Sequence, residues 1–242
     1  MLLLENITIK ALFDFNHTLA KQLLENKLYP WEILPEIGQY ILTIGSTLSK
    51  KEYKLVKGAN GKKNIWISKS ATIAKDANLY GPLIVGHNTE IRHNAFIRGN
   101  VLIGENCIIG NSTEIKNSIL LNHVQVPHYN YVGDSILGNY SHLGAGVILS
   151  NLKSSKNNVY IAREVETNLR KVGSFIGDNA EVGCNSVLNP GTVIGKNSVI
   201  YPVSCIIGVI PENSIVKTEL NITTRRKSKW KDFLELMESE VL

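Results

Sequence analysis

Apolar residues recur every six positions through the middle of the chain. Counting from Ile67 gives Ile67, Ile73, Leu79, Val85, Ile91, Ile97, Ile103, Ile109, Ile115 and Leu121 at one phase. The phase slips near Pro127, resuming at Val126 and Val132, and slips again to Leu137, Leu143 and Leu149. After a gap it returns as Ile176, Val182, Leu188, Ile194, Ile200 and Ile206. A helix face repeats every 3.6 residues and does not fit a period of six; short strands separated by regular turns do. Gly or Asn often follows the apolar position, as at Val85-Gly86, Ile103-Gly104 and Ile194-Gly195. These residues are expected to supply the tight or positive-φ turns.

A sustained hexapeptide repeat predicts an all-β solenoid, the left-handed parallel β-helix, over residues 64–217. Three hexads make one coil, so residues about 18 apart are expected to stack on neighbouring coils. Residues 1–63 read as a helical N-terminal segment. Apolar spacing suggests helices over Phe15 to Lys27 and Trp31 to Leu48, with Pro30 at a helix start and a Lys/Gly/Asn-rich linker from Lys57 to Lys63. Residues 152–173 interrupt the ladder and are expected to protrude as a loop on the binding face. Residues 218–242 read as a basic tail, Arg225-Arg226-Lys227, followed by a short amphipathic C-terminal helix carrying Trp230, Phe233 and Met237. The helices at both ends are expected to cap the solenoid.

At 242 residues, 43% apolar and 19% charged, the chain has the make-up of a globular protein that buries a substantial core. Its apolar runs are too short to span a bilayer, and its first residues lack a signal-peptide pattern. Three cysteines without a CxxC pair suggest reduced thiols in the cytoplasm. A net charge of +5 is weak for nucleic acid and suits a phosphorylated small molecule. Neither a nucleic-acid nor a membrane partner is expected.

Chemistry-bearing residues concentrate between Arg98 and Asn151. Arg98 and Lys116 are a coil apart and would stack on one face, where a phosphate between them would relieve their repulsion. Then come His128-Tyr129-Asn130-Tyr131-Val132-Gly133-Asp134 and Gly144-Ala145-Gly146, ending at Asn151. This order resembles the acetyltransferase half of the bifunctional glucosamine-1-phosphate acetyltransferase/N-acetylglucosamine-1-phosphate uridyltransferase family over about residues 65–217. The stretch from Leu169 to Asp178 looks like the archaeal-type branch.

The resemblance implies an acetyl-CoA-dependent acetyltransferase in UDP-N-acetylglucosamine biosynthesis, acting on an amino-sugar phosphate such as glucosamine-1-phosphate. His128 would be the general base, an imidazole suiting proton removal near neutral pH. Arg98, Lys116 and Tyr131 would hold the sugar phosphate, Asn151 would bond to the sugar or the acetyl group, and His142 stands at a sugar-binding position. Ala145, Cys184 and Pro202 would line the pantetheine, with Lys153 and Lys156 near the coenzyme's phosphates. A homotrimer with sites between neighbouring prisms is implied, and no metal is expected for acetyl transfer. The chain departs from the family where His142 replaces an Asn, Cys184 a Ser and Pro202 an Ala. Residues 1–63 carry no Gly-rich nucleotide loop, so nucleotidyl transfer is not expected.

Three rival readings share this fold. The spacing His123-x4-His128, with Arg98-Gly99-Asn100 as a turn, is similar to γ-type carbonic anhydrases, but no His lies between Val101 and Asn122 to complete the zinc ligands. A non-catalytic scaffold for a separate nucleotidyltransferase would not need His128. An acetyltransferase for a nucleotide-linked sugar would keep the base and change the acceptor.

Overall fold

The computed structural model describes residues 5–218. The expected C-terminal helix and basic tail lie outside the described residues. From Ile65 onward the chain winds through about eight coils as a left-handed parallel β-helix, each coil adding short strands to three parallel sheets. Sheet A runs from Ile65–Ser68 through Leu83–Val85, Val101–Ile103, Ser118–Leu120, Ile136–Leu137, Ser174–Ile176 and Thr192–Ile194 to Val209–Ile210. Sheet B runs from Thr72–Ile73 to Ile215–Val216, and sheet C from Asn78–Leu79 to Cys205–Ile206.

The register explains the phase slips. Ile65 pairs with Leu83 and Leu83 with Val101, a spacing of 18. The next two coils shorten to 17, pairing Val101 with Ser118 and Ile119 with Ile136. The inner ladder therefore steps from Ile115 to Leu120, then to Val126, Val132 and Leu137. Leu121, expected in that ladder, instead belongs to a second apolar layer outside the prism.

The turn chemistry also divides differently from the expectation. The left-handed residues sit at the corners, three positions after the inward one: Asn88 (φ 54°), Asn94 (58°), Asn100 (52°) and Asn106 (55°). Asn tolerates this region through its short polar side chain. Gly86 and Gly104 serve a separate need: a Cβ on Gly86 would collide with the carbonyl of Gly104 on the next coil. Asn supplies the turn, and Gly the close approach of successive coils.

Sheet A differs from the other two in its outward residues. Ile84, Leu102, Ile119, Ile136, Phe175 and Val193 point out of the prism and are fully buried. They are covered by the N-terminal segment, whose helices are α1 (Ile9–Leu12), α2 (Lys21–Leu24) and α3 (Ile37–Gly45), with a 3₁₀ turn at Pro30–Ile33. Burying each such side chain contributes about 1.5–3 kcal/mol. Pro30 does open its turn, whose Glu32 carboxylate accepts the N–H groups of Leu28 and Tyr29 at 3.0 and 2.8 Å.

The helix expected over Phe15 to Lys27 is confined to α2. Its first residues bond to the solenoid instead. Asp14 donates its N–H to Asp178 at 2.6 Å, while Asn139 and Asn122 donate to the carbonyls of Asp14 and His17. Backbone groups committed to the coil corners cannot also close helical turns. Tyr53–Val56, placed by its sequence in the helical segment, is a strand antiparallel to Ile65–Ser68.

The insertion also departs from its expected protrusion. A bridge between Leu152 and Lys171 closes its base, and Tyr160–Ile161 pairs with Val165–Glu166 as a hairpin. Val159, Ile161 and Val172 are fully buried in the outer apolar layer. The insertion lies down on sheet A because its own apolar residues and those of the sheet bury each other.

Candidate active site

Two groups of candidate residues emerge, set apart by the prism's geometry. The first is a column along the edge between sheets B and C. His128 closes the strand Gln125–His128 and pairs with Asn111. The N–H of Gly146 bonds to the carbonyl of His128 at 3.0 Å, that of Asn185 to Ala145 at 2.8 Å, and that of Val203 to Cys184 at 2.9 Å. These bonds stack His128, Ala145, Cys184 and Pro202 on successive coils. His128, Cys184 and Pro202 are exposed and Ala145 half-buried. The column is straight because each corner repeats one backbone conformation, and Tyr129 next to His128 holds the left-handed position at φ 52°. Asn130, buried just beyond it, accepts the N–H of His128 and donates to the carbonyl of Gly144, tying the turn to the following coil. The His128 ring makes no hydrogen bond among the described residues, which leaves both of its nitrogens for a ligand.

The second group lies on sheet C and its edge with sheet A. Asp134, 4% exposed, is its hub. Its carboxylate accepts from Lys116 Nζ at 2.9 Å, from Asn117 Nδ2 at 2.9 Å and from Asn151 Nδ2. Three successive coils are thereby joined at one anion. Arg98 bonds Glu114 at 2.7 Å and lies over the Phe96 ring at 5.9 Å. The bond to Glu114 is the main cause that holds the Arg98 guanidinium above its ordinary value. Both cations thus carry a carboxylate of their own, and the repulsion expected between them is already relieved without a phosphate. Arg98 commits one of its five N–H donors to Glu114, and the others remain for a ligand.

Tyr131 stands between the two groups. Its phenol is pushed up, chiefly by burial and then by Glu114 and Asp134, so it is a neutral donor. A Cβ on Gly133 would lie 2.7 Å from Tyr131 Oη and 2.8 Å from Asn151 Nδ2. The glycine of the His-x-x-Tyr-Val-Gly-Asp run leaves the space in which phenol and amide meet.

The remaining candidates are placed elsewhere. His142 lies on the outward face of sheet B between Gln125 and Glu181, apart from the Lys116–Asp134 cluster. Lys153 and Lys156 sit in the insertion at the edge of sheets C and A, across sheet C from Ala145, Cys184 and Pro202. Lys153 Nζ donates to the carbonyl of Asn158 at 3.2 Å, and Lys156 lines a cavity of about 610 Å³ with Asn117, Asp134, Arg170 and Lys171. His123 stacks on Tyr140 at 4.3 Å at the opposite edge of sheet B from His128, so the chain does not bring that histidine pair together. Among the described residues no group of three or more His, Cys, Asp or Glu is placed to hold a metal ion. No helix among them is long and apolar enough to cross a membrane.

Glu114 and Asn117 were not legible as site residues. Their signal was the coil register: Glu114 pairs with Phe96, two residues before Arg98, and Asn117 adjoins Lys116.

The family model of the GMPPB C-terminal domain matches residues 79–175, which include Arg98, Lys116, His128, Tyr131 and Asn151. The bifunctional protein GlmU of Methanococcus maripaludis strain C7 is 39% identical over 114 residues, 45% of this chain and 28% of the relative. A bifunctional sugar-1-phosphate nucleotidylyltransferase/acetyltransferase of Sulfurisphaera tokodaii is 33% identical over 88 residues, 35% of this chain and 22% of the relative. The chain thus spans less than a third of the length of these curated relatives. Among solved structures, the acetyltransferase domain of PglB from Neisseria gonorrhoeae in complex with acetyl coenzyme A is 16% identical. That match covers 63% of this chain and 53% of the domain, with a TM-score of 0.32. The resemblance to the acetyltransferase part of the bifunctional proteins stands on the sequence match.

Proposed function

We propose that this chain is an acetyl-CoA-dependent N-acetyltransferase for an amino-sugar phosphate, with His128 as general base. The observation that carries the reading is the exposed column of His128, Ala145, Cys184 and Pro202, with Tyr131 connecting it to the Asp134 cluster. The extended pantetheine of the coenzyme would lie along the column, its thioester beside His128. The amino sugar would sit over sheet C, its phosphate on Arg98 and Lys116 and its hydroxyls on Tyr131 and Asn151.

In this reading the sugar arrives mostly as ammonium, which gives up one proton to solvent before its nitrogen can attack. Neutral imidazole takes the proton released as the N–C bond forms, and passes it to the departing thiolate as the C–S bond breaks. The nucleophile belongs to the substrate, so the chain supplies placement and proton transfer, and holding both partners on one rigid edge contributes much of the acceleration. The N–H groups of Gly146, Asn185 and Val203 are already donated to neighbouring coils. A developing oxyanion would draw on other donors. The assignment includes a cytoplasmic homotrimer, in which a neighbouring prism closes over the B–C edge. Sedimentation is expected to give three chains per particle.

Release of coenzyme A thiol, followed with glucosamine-1-phosphate, other amino-sugar phosphates and nucleotide-linked amino sugars, tests this function. Turnover is expected with an amino-sugar phosphate and weaker with a nucleotide-linked sugar. The reverse preference would transfer the assignment to nucleotide-linked acceptors. Folded protein that turns over none of them would leave the scaffold reading.

A further inference from the structure

A cavity of about 920 Å³ opens between the insertion and the last coils, on the edge between sheets C and A. It lies across sheet C from the His128 column, and no residue of its wall is placed on the thioester or the amino sugar in the proposed acyl transfer. Its volume is in the range of pockets that enclose a ligand of mononucleotide size.

Three properties of the wall define what it takes. Lys153 and Arg163 line it, and no carboxylate does. Neither cation enters an ion pair among the described residues. The nearby Glu166 is engaged elsewhere: it accepts from Asn158 Nδ2 at 2.8 Å and from the Tyr160 hydroxyl, bonds that hold its carboxyl below the usual range. Neither cation of the wall is therefore neutralised by a carboxylate, and Lys153 gives up only one of its three donors, to the Asn158 carbonyl at 3.2 Å.

The second property is an exposed ring and apolar surface. Tyr160 is 43% exposed and Ile207 63%, with Leu152 and Pro190 beside them. Lys153 Nζ sits 5.6 Å over the Tyr160 ring and is steadied by the Asn158 carbonyl, so cation and ring face one volume. The third is an opening over the last coil. The corner position that carries Asn100 and Asn117 on earlier coils is Gly191 (φ 82°), whose missing Cβ makes room for Val159 and Ile161 of the insertion, and the shorter corner after it holds Gly208 (φ 94°). Nothing lies within 4 Å of where a Cβ on Gly208 would be.

Cations for phosphate oxygens, an aromatic face and apolar surface for a flat ring, and space for both belong to one ligand class. We propose that this cavity binds a nucleoside diphosphate, its phosphates on Lys153 and Arg163 and its base against Tyr160 and Ile207. A free nucleotide and the nucleotide end of a coenzyme present the same chemistry. The inference does not rest on acetyl transfer and stands if that reading fails.

Calorimetric titration of the full chain with ADP, UDP and coenzyme A at low ionic strength tests it. ADP or UDP is expected to bind, and the double variant Lys153→Gln/Arg163→Gln to weaken binding at least about tenfold. Ile207→Asp, which leaves the insertion's cations in place but puts a carboxylate on the floor, is expected to weaken it too. Lys50→Gln/Lys51→Gln, which removes exposed charge far from the cavity, should leave the affinity unchanged. Coenzyme A displacing bound ADP would identify the coenzyme's nucleotide end as the occupant, and failure to displace it a separate nucleotide. No binding of any of the three, or equal binding by wild type and both cavity variants, would overturn the proposal.

Discussion

Sheet A and the B–C edge are built on the same inner ladder, yet they are opposite in character. In both, every hexad sends one apolar residue into the prism. The outward positions differ. On sheet A they are Ile84, Leu102, Ile119, Phe175 and Val193, all fully buried beneath the N-terminal helices and the insertion. On sheet C they include Arg98, Glu114, Lys116 and Tyr131 beside the part-exposed Phe96 and Val187, and the B–C edge carries His128 and Cys184 in the open. The repeat makes the solenoid, and the residue that each strand turns outward decides whether a face is structural or chemical.

The largest effect that sharpens this contrast is on stability. Leu102→Ala leaves a cavity under the N-terminal helices and is expected to cost about 2–5 kcal/mol in urea unfolding. A cost below about 1 kcal/mol would mean that the outer layer is not a core. Next is Gly133→Ala, whose methyl intrudes between Tyr131 Oη and Asn151 Nδ2. It is expected to lower kcat/KM about 10–100-fold through misplaced substrate groups while the unfolding midpoint moves little.

Thiol chemistry probes the two environments side by side. Burial pushes the Cys107 thiol up to about 12, so almost none is thiolate near neutral pH. Cys184 and Cys205 are exposed. Mass spectrometry after brief alkylation of the native protein is expected to find Cys184 and Cys205 modified and Cys107 intact. Acetyl-CoA should slow alkylation several-fold at Cys184. Equal slowing at both exposed thiols would move the coenzyme off the edge column. The smallest effect is at Val187, the outward sheet-C counterpart of a position like Leu102 and 36% exposed. Val187→Ala is expected to change stability by no more than about 0.5 kcal/mol.

The inner ladder was legible because it needs only an apolar residue every six positions, which a single sequence displays. Its slips were not, since the five-residue step from Ile115 to Leu120 leaves Leu121 apparently in phase. The outer layer was hidden for a related reason. Its members recur once per coil, and Ile84, Leu102, Phe175 and Val193 align only when coil lengths of 18, 17 and 39 are known. The insertion showed its length but not its resting place, which depends on that unseen layer. His128, Tyr131 and Asn151 could be found through their fixed order in a short run. The partnership of Arg98 with Glu114 follows from register and appears only when strands are paired.

The account depends most on His128. Acetyl transfer by His128→Ala, measured against wild type from pH 6 to 9, tests it most directly. A fall in kcat of about 10²–10⁴-fold is predicted, with the unfolding midpoint unchanged. Wild-type turnover across that range in the variant would contradict the account.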